Sequence, residues 1–111
     1  MVTTAAFRQM ALSLPGVVEL PHFDRASFRV NKRIFATMQE KTNIAVLLFS
    51  PLQQSVFCAF DNTIIYPVPG GWGKQGSTIF ELSKIKKAML KDALSVVYDE
   101  TVAKTTKKKL K

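Results

Sequence analysis

The stretch Gly70-Gly71-Trp72-Gly73-Lys74-Gln75-Gly76-Ser77-Thr78 constrains this chain more than any other. Four of its nine residues are glycine, Ser77 is also small, and the only tryptophan sits among them with a lysine. Glycines at this density mark a loop that needs positive φ or close backbone approach, so Gly73 or Gly76 is expected in the left-handed region. A tryptophan in such a loop either plugs a core or offers a flat face to a ligand. A phosphate cradle would need Gly-Lys-Ser/Thr in order and a helix to follow. Here the order is absent and Thr78 to Leu82 reads as a strand.

The segments around this loop have clear periodicities. Thr4 can cap a helix in which Ala5, Phe7, Met10, Ala11 and Leu14 recur at helical spacing, with Pro15-Gly16 as the stop. Val17 to Phe23 reads as extended. Ala26, Phe28 and Val30 alternate with Ser27 and Arg29, as in a strand with one buried face. Asn31-Lys32 fits a two-residue hairpin turn, and Arg33 to Gln39 fits the return strand, with Ile34, Ala36 and Met38 assigned to one face. Ile44 to Phe49 is continuously apolar, as expected of a strand buried on both sides.

Ser50-Pro51-Leu52-Gln53 carries a capping serine, a first-turn proline and a glutamine placed to complete a capping box. The helix it starts is assigned a buried stripe of Leu52, Val56, Ala59 and Phe60. Thr63 to Val68 reads as a strand placed at an edge by Pro67. Ser77 to Leu82 is the last strand. Ser83 is expected to cap a final helix with Ile85, Met89, Ala93, Val96 and Val97 inward, fraying near Ala103. Short turns between consecutive strands require antiparallel pairing, and helices at both ends of the strand run predict a two-layer α+β sandwich.

The chain has 111 residues, which fits one domain, assigned to 1–103. Its formal charge is +8, but residues 104–111 hold five lysines and no acid. That segment reads as a basic, disordered tail. The other 103 residues carry the remaining 11 basic and all eight acidic side chains, a mild excess. The single cysteine, Cys58, excludes an internal disulfide and a multi-cysteine metal site. No basic-then-apolar leader opens the sequence and no apolar run is long enough to cross a bilayer, so a soluble, cytoplasmic protein, monomeric by expectation, is indicated.

Several of these pieces, in this order and spacing, resemble the MmcQ/YjbR-like family. They are Leu14-Pro15-Gly16-Val17, Pro21-His22-Phe23, Ser27-Phe28-Arg29-Val30, Ile34-Phe35-Ala36-Thr37, Leu48-Phe49-Ser50-Pro51 with Gln54, and Trp72-Gly73-Lys74-Gln75-Gly76 with Thr78. The resemblance spans nearly the whole folded body. It implies a fold like that of CyaY (frataxin-like), a curved antiparallel sheet with helices packed on one face. Members are often called DNA-binding because the fold looks like a double-wing domain, which is a warrant from fold analogy. The family pattern commonly has Trp where this chain has Ser77, so any aromatic contact made from that position is lost here.

The sequence holds no evident catalytic constellation, and no cofactor is implied. His22 lies between Pro21 and Phe23, where a structural role is expected. Cys58, between Phe57 and Ala59, reads as a small hydrophobe without a basic neighbour to lower its pKa. The eight acids are scattered without metal-ligand spacing, and the first helix carries Arg8 and no acid, so no metal site is expected.

The basic residues suggest more. Arg29, Lys32 and Arg33 gather at the hairpin, and Lys84, Lys87 and Lys91 fall on one face of the expected last helix. The leading expectation is therefore a non-enzymatic protein that binds double-stranded DNA weakly. Arg29, Lys32, Arg33, Lys74, Lys84 and Lys87 would contact phosphates and Trp72 would offer a stacking face. The alternative is a protein-interaction or small-ligand module with its pocket beside the Trp72 loop.

Overall fold

The computed structural model describes residues 2–109. The order is α1 (Thr4–Leu12), β1 (Val18–His22), β2 (Arg25–Val30), β3 (Arg33–Gln39), β4 (Ile44–Leu48), α2 (Pro51–Cys58), β5 (Ile65–Pro67), α3 (Gly71–Lys74), β6 (Ser77–Glu81) and α4 (Lys87–Lys109). The six strands form one sheet in the order β1-β2-β3-β4-β6-β5, and every neighbouring pair is antiparallel. This is the expected α+β architecture, a curved open sheet with helices. The apolar strand β4 is central, as its composition requires, and the proline-bearing β1 and β5 are the edges.

Alternation along the strands divides the residues between two faces. Phe28, Val30, Phe35, Ala36, Met38, Ala45, Leu47, Phe49, Phe80 and Leu82 are buried on the helix side. There Phe28 meets Phe7 of α1 edge-on at 5.5 Å, Phe35 meets Tyr98 of α4 at 6.0 Å, and Phe49 stacks on Phe57 of α2 at 5.0 Å. Among the described residues, no helix of comparable length covers the opposite face.

Four features differ from the sequence reading. First, the β2–β3 register shifts at Phe28/Arg29, so Phe28 pairs with Ala36 while Arg29 pairs with Ile34. The extra residue, Phe35, is a bulge, and a bulge reverses the inside–outside parity beyond it. Ile34 therefore shares its face with Thr37 rather than with Ala36 and Met38. Second, β4 is not buried equally on both sides. Ala45 and Leu47 are fully buried against the helices, while Ile44, Val46 and Leu48 remain half-buried on the other face.

Third, α2 buries Phe57, only 6% exposed, and leaves Leu52, Val56 and Phe60 outside. Gln54 holds this rotation. Gln54 points inward and donates through Nε2 to the Gly73 carbonyl (2.8 Å) and the Ser77 carbonyl (3.1 Å). The Ser50 hydroxyl accepts from the Gln53 amide (3.3 Å), as expected of the cap. The reciprocal half of the box comes from Glu100 of α4 instead. Its carboxylate accepts the Ser50 amide (3.0 Å) and hydroxyl (2.6 Å), placing negative charge at the α2 N-terminus, where the helix dipole favours it.

Fourth, the ends of the terminal helices move. Thr3, not Thr4, caps α1, accepting from the Ala6 amide at 3.0 Å. Helix α4 begins at Lys87 rather than after Ser83, so Ile85 is buried from the preceding turn, and Leu90 and Leu94 join Ala93 and Val97 inward. It also continues past Ala103 to Lys109, so the expected disordered tail is helical over 104–109, and residues 110 and 111 lie outside the described residues. Lysines are good helix formers and suit a helix C-terminus. The Thr105 hydroxyl accepts from Asn31 Nδ2 at 2.9 Å, which ties this turn to the β2–β3 hairpin.

Candidate functional site: an apolar groove on the helix-free face

The Gly-rich segment contains a helical turn, α3, which the sequence reading treats as irregular loop. Its glycines are there for two separate reasons. Gly76 adopts φ +115°, as expected, whereas Gly73 is helical and is needed because a Cβ would stand 1.8 Å from the Val68 carbonyl oxygen. These contacts seat α3 against β5 and β6. Trp72 consequently projects beside the helix-free face, 70% exposed, rather than into the core.

That face is a groove of about 810 Å³. Its floor is aliphatic, made by Ile34 of β3, Ile44, Val46 and Leu48 of β4, and Ile79 of β6. Thr37 and Ser77 add hydroxyls, and Val68 and Trp72 close one margin. The size lies within the roughly 300–1,000 Å³ typical of small-molecule sites. Ser77, a small side chain on the floor, is the cross-strand partner of Leu48.

The opposite end is formed by the β1–β2 turn. Phe23 is 95% exposed and holds φ +60°, a conformation that costs a bulky residue about 1 kcal/mol or more. The His22 ring packs edge-on against it at 4.9 Å, and His22 lines the groove. Asp24 accepts from Gln39 Nε2 at 2.6 Å and lies 3.6 Å from Arg25 Nε.

Cross-strand register locates the basic residues. Val30 pairs with Arg33, Ala36 with Leu47, and Leu48 with Ser77. The β2–β3 hairpin, the end of β4 and the start of β6 thus occupy one end of the sheet. Arg29, Lys32, Arg33, Trp72 and Lys74 share that end. Asn31 and Lys32 both have positive φ, as the expected two-residue hairpin turn requires. Lys84 and Lys87 do not join them. Lys84 lies in the turn after β6 and Lys87 opens α4, at the other end of the strands, and with Lys84 outside the helix the proposed face of Lys84, Lys87 and Lys91 does not form.

Three further titratable groups are perturbed by their structural surroundings. Arg8 donates to Glu40 (2.7 Å) and Glu19 (2.9 Å), which hold its guanidinium pKa above the usual value. The Tyr66 hydroxyl donates to Glu81, which raises the phenol pKa. Burial raises the Cys58 thiol, consistent with its packing as a small hydrophobe. Among the described residues no group of three or more His, Cys, Asp or Glu is placed to hold a metal ion, and no helix is long and apolar enough to cross a membrane.

No protein-family model matches this sequence, and no curated protein matches it. Among solved structures, the chain is similar to Deinococcus radiodurans protein DR2400, a DUF419 domain, with a TM-score of 0.74 and 18% identity. The similarity covers 88% of this chain and 77% of that one. At this identity the likeness is one of fold.

Proposed function

We propose that this chain is a non-enzymatic, cytoplasmic binding protein of the MmcQ/YjbR-like type, and that its site is the groove on the helix-free sheet face. The family assignment draws support from the shared fold, since DUF419 is related to the MmcQ/YjbR family. The functional reading is carried by one observation: a half-buried aliphatic floor of Ile34, Ile44, Val46, Leu48 and Ile79 at the base of a groove, with the only tryptophan exposed on its margin. An apolar surface of this kind in a small domain marks a place where something docks. The small-ligand reading thereby moves ahead of the DNA reading. The test is displacement of an environment-sensitive apolar dye. Val46→Gln should remove dye binding while far-ultraviolet circular dichroism stays unchanged, and dye binding unaffected by that variant would refute the site.

DNA binding is the second reading. It is favoured by Arg29, Lys32, Arg33 and Lys74 sharing one end of the sheet with Trp72. If it holds, changing Arg29, Lys32 and Arg33 together to Ala should weaken duplex binding. The dependence of log affinity on log salt should flatten by about 0.9 per lost phosphate contact. An unchanged salt slope would exclude the hairpin as the DNA contact.

A further inference from the structure

We infer that the occupant of the groove is an amphipathic carboxylate: an aliphatic chain lying across β3, β4 and β6 with its acid head at Arg29 of β2, on the groove's flank. This rests on the groove being a ligand site, as proposed above, and adds the chemical class. The floor selects the tail. Ile34, Ile44, Val46, Leu48 and Ile79 present branched aliphatic groups that gain from dispersion and apolar burial and offer nothing to a polar chain.

The head is selected at one flank. Alternation places Arg25, Ser27 and Arg29 of β2 on the groove side, opposite the buried Phe28 and Val30. Arg29 Nε donates to Ser27 Oγ at 3.2 Å, and Ser27 Oγ donates to the Leu20 carbonyl at 2.9 Å. This chain folds the guanidinium back over Ser27, whose cross-strand partner is Thr37 on the groove floor. Arg29 has no carboxylate within ion-pair distance among the described residues, so its terminal amino groups are free to grip an anion in the two-pronged geometry that suits a carboxylate.

Charge excludes the opposite choice. Among the described residues, the acids on this face are already engaged: Asp24, which lines the groove, accepts from Gln39 and lies near Arg25, and Glu81, on the groove side of β6 by the same alternation, accepts from the Tyr66 hydroxyl. A cationic head would find no free partner there. From β2 to β6 is three strand spacings, about 14 Å. An acid held at Arg29 therefore lays its tail over the floor toward Trp72.

The sole tryptophan supplies the readout. The full chain is titrated with laurate and, separately, with methyl laurate, which keeps the tail and removes the charge. Trp72 emission and equilibrium dialysis are followed below the micelle-forming concentration. Laurate should shift Trp72 emission to the blue saturably and bind about ten-fold more tightly than the ester, the worth of charge-assisted hydrogen bonds. Arg29→Met should bring laurate down to the affinity of the ester while leaving the ester within about two-fold of its parent value. Val46→Gln should weaken both ligands.

Equal affinity for laurate and ester in the parent chain, or an equal loss of both in Arg29→Met, would overturn the carboxylate assignment while leaving an apolar ligand site standing. Absence of binding by either ligand would overturn the site itself. A stable dimer in sedimentation, with Trp72 already shielded and laurate unable to dissociate it, would instead assign the groove to a second copy of the chain and overturn the inference.

Discussion

Replacing Gly76 by alanine tests the loop at its tightest point. Gly76 holds φ +115°, and a Cβ there would stand 1.8 Å from the Phe49 carbonyl oxygen and 2.8 Å from its carbon. Both atoms belong to the junction of β4 and α2. That junction is fixed by the Phe49 amide donating to the Gly76 carbonyl at 3.2 Å and by the Phe49–Phe57 ring stack. Two costs add. A non-glycine residue in this backbone region costs about 1–3 kcal/mol. Relieving the clash separates the two segments and loses at least the Phe49–Gly76 hydrogen bond, about 1 kcal/mol more. Gly76→Ala should therefore destabilise the domain by about 3 kcal/mol, a large share of the 5–15 or so available to a typical domain. With a urea slope of about 2 kcal/mol per M, the midpoint falls by about 1.5 M, read by far-ultraviolet circular dichroism. Gly71 is the control. It lies in α3 with no atom within 4 Å of its added Cβ and without positive φ, so Gly71→Ala should leave stability equal or raise it by about 0.4–1 kcal/mol. Gly76→Ala within about 0.5 kcal/mol of the parent, or both variants losing equally, would refute close approach as the reason for this glycine.

Phe28→Ala should cost about 3–5 kcal/mol in equilibrium unfolding, since Phe28 is fully buried against Phe7. On α2, Phe57→Ala should cost a similar amount, while Phe60→Ala, at a side chain 62% exposed, should stay below about 1 kcal/mol; the reverse ranking would mean that α2 is rotated. The Tyr66–Glu81 hydrogen bond raises the phenol pKa in the folded state. Its contribution is present below the unfolded value of about 10 and is lost as pH rises through the folded one. Tyr66→Phe should therefore lower stability at neutral pH and flatten its decline above about pH 10, measured by urea unfolding at several pH values.

The periodic part of the fold was legible in the sequence because periodicity reports burial directly. Ala26, Phe28 and Val30 alternate, Ile44 to Phe49 is apolar throughout, and Asn31-Lys32 carries a turn signal; each appears where expected. What failed was local parity and rotation. An extra residue at Phe35 leaves no mark in a run already rich in apolar side chains, yet it moves Ile34 to the opposite face. On α2, Leu52, Val56 and Phe60 form a better apolar stripe than the one buried, because the rotation is set by Gln54 reaching two carbonyls more than twenty positions away in the case of Ser77. Of the candidate binding residues in the sequence, Trp72 lines the groove and Arg29 flanks it. In the sequence the floor residues of β4 read only as core, since a strand half-covered on one side and one fully buried look alike.

The Gly-rich loop links the fold to the site. Gly73 lets α3 press on the Val68 carbonyl, and Gly76 lets the chain pass close to Phe49. Gln54 then closes the arrangement by donating to the carbonyls of Gly73 and Ser77, which flank Gly76. Helix α2, on the covered side of the sheet, thereby fixes a turn that carries Trp72 to the uncovered side. A side chain larger than hydrogen at position 73 would push α3 off the Val68 carbonyl and Trp72 with it, while one at position 76 would push the loop away from Phe49. The same close contacts thus account for both the stability of the β5–β6 region and the shape of the proposed site. The glycines need not touch a ligand to decide whether one binds.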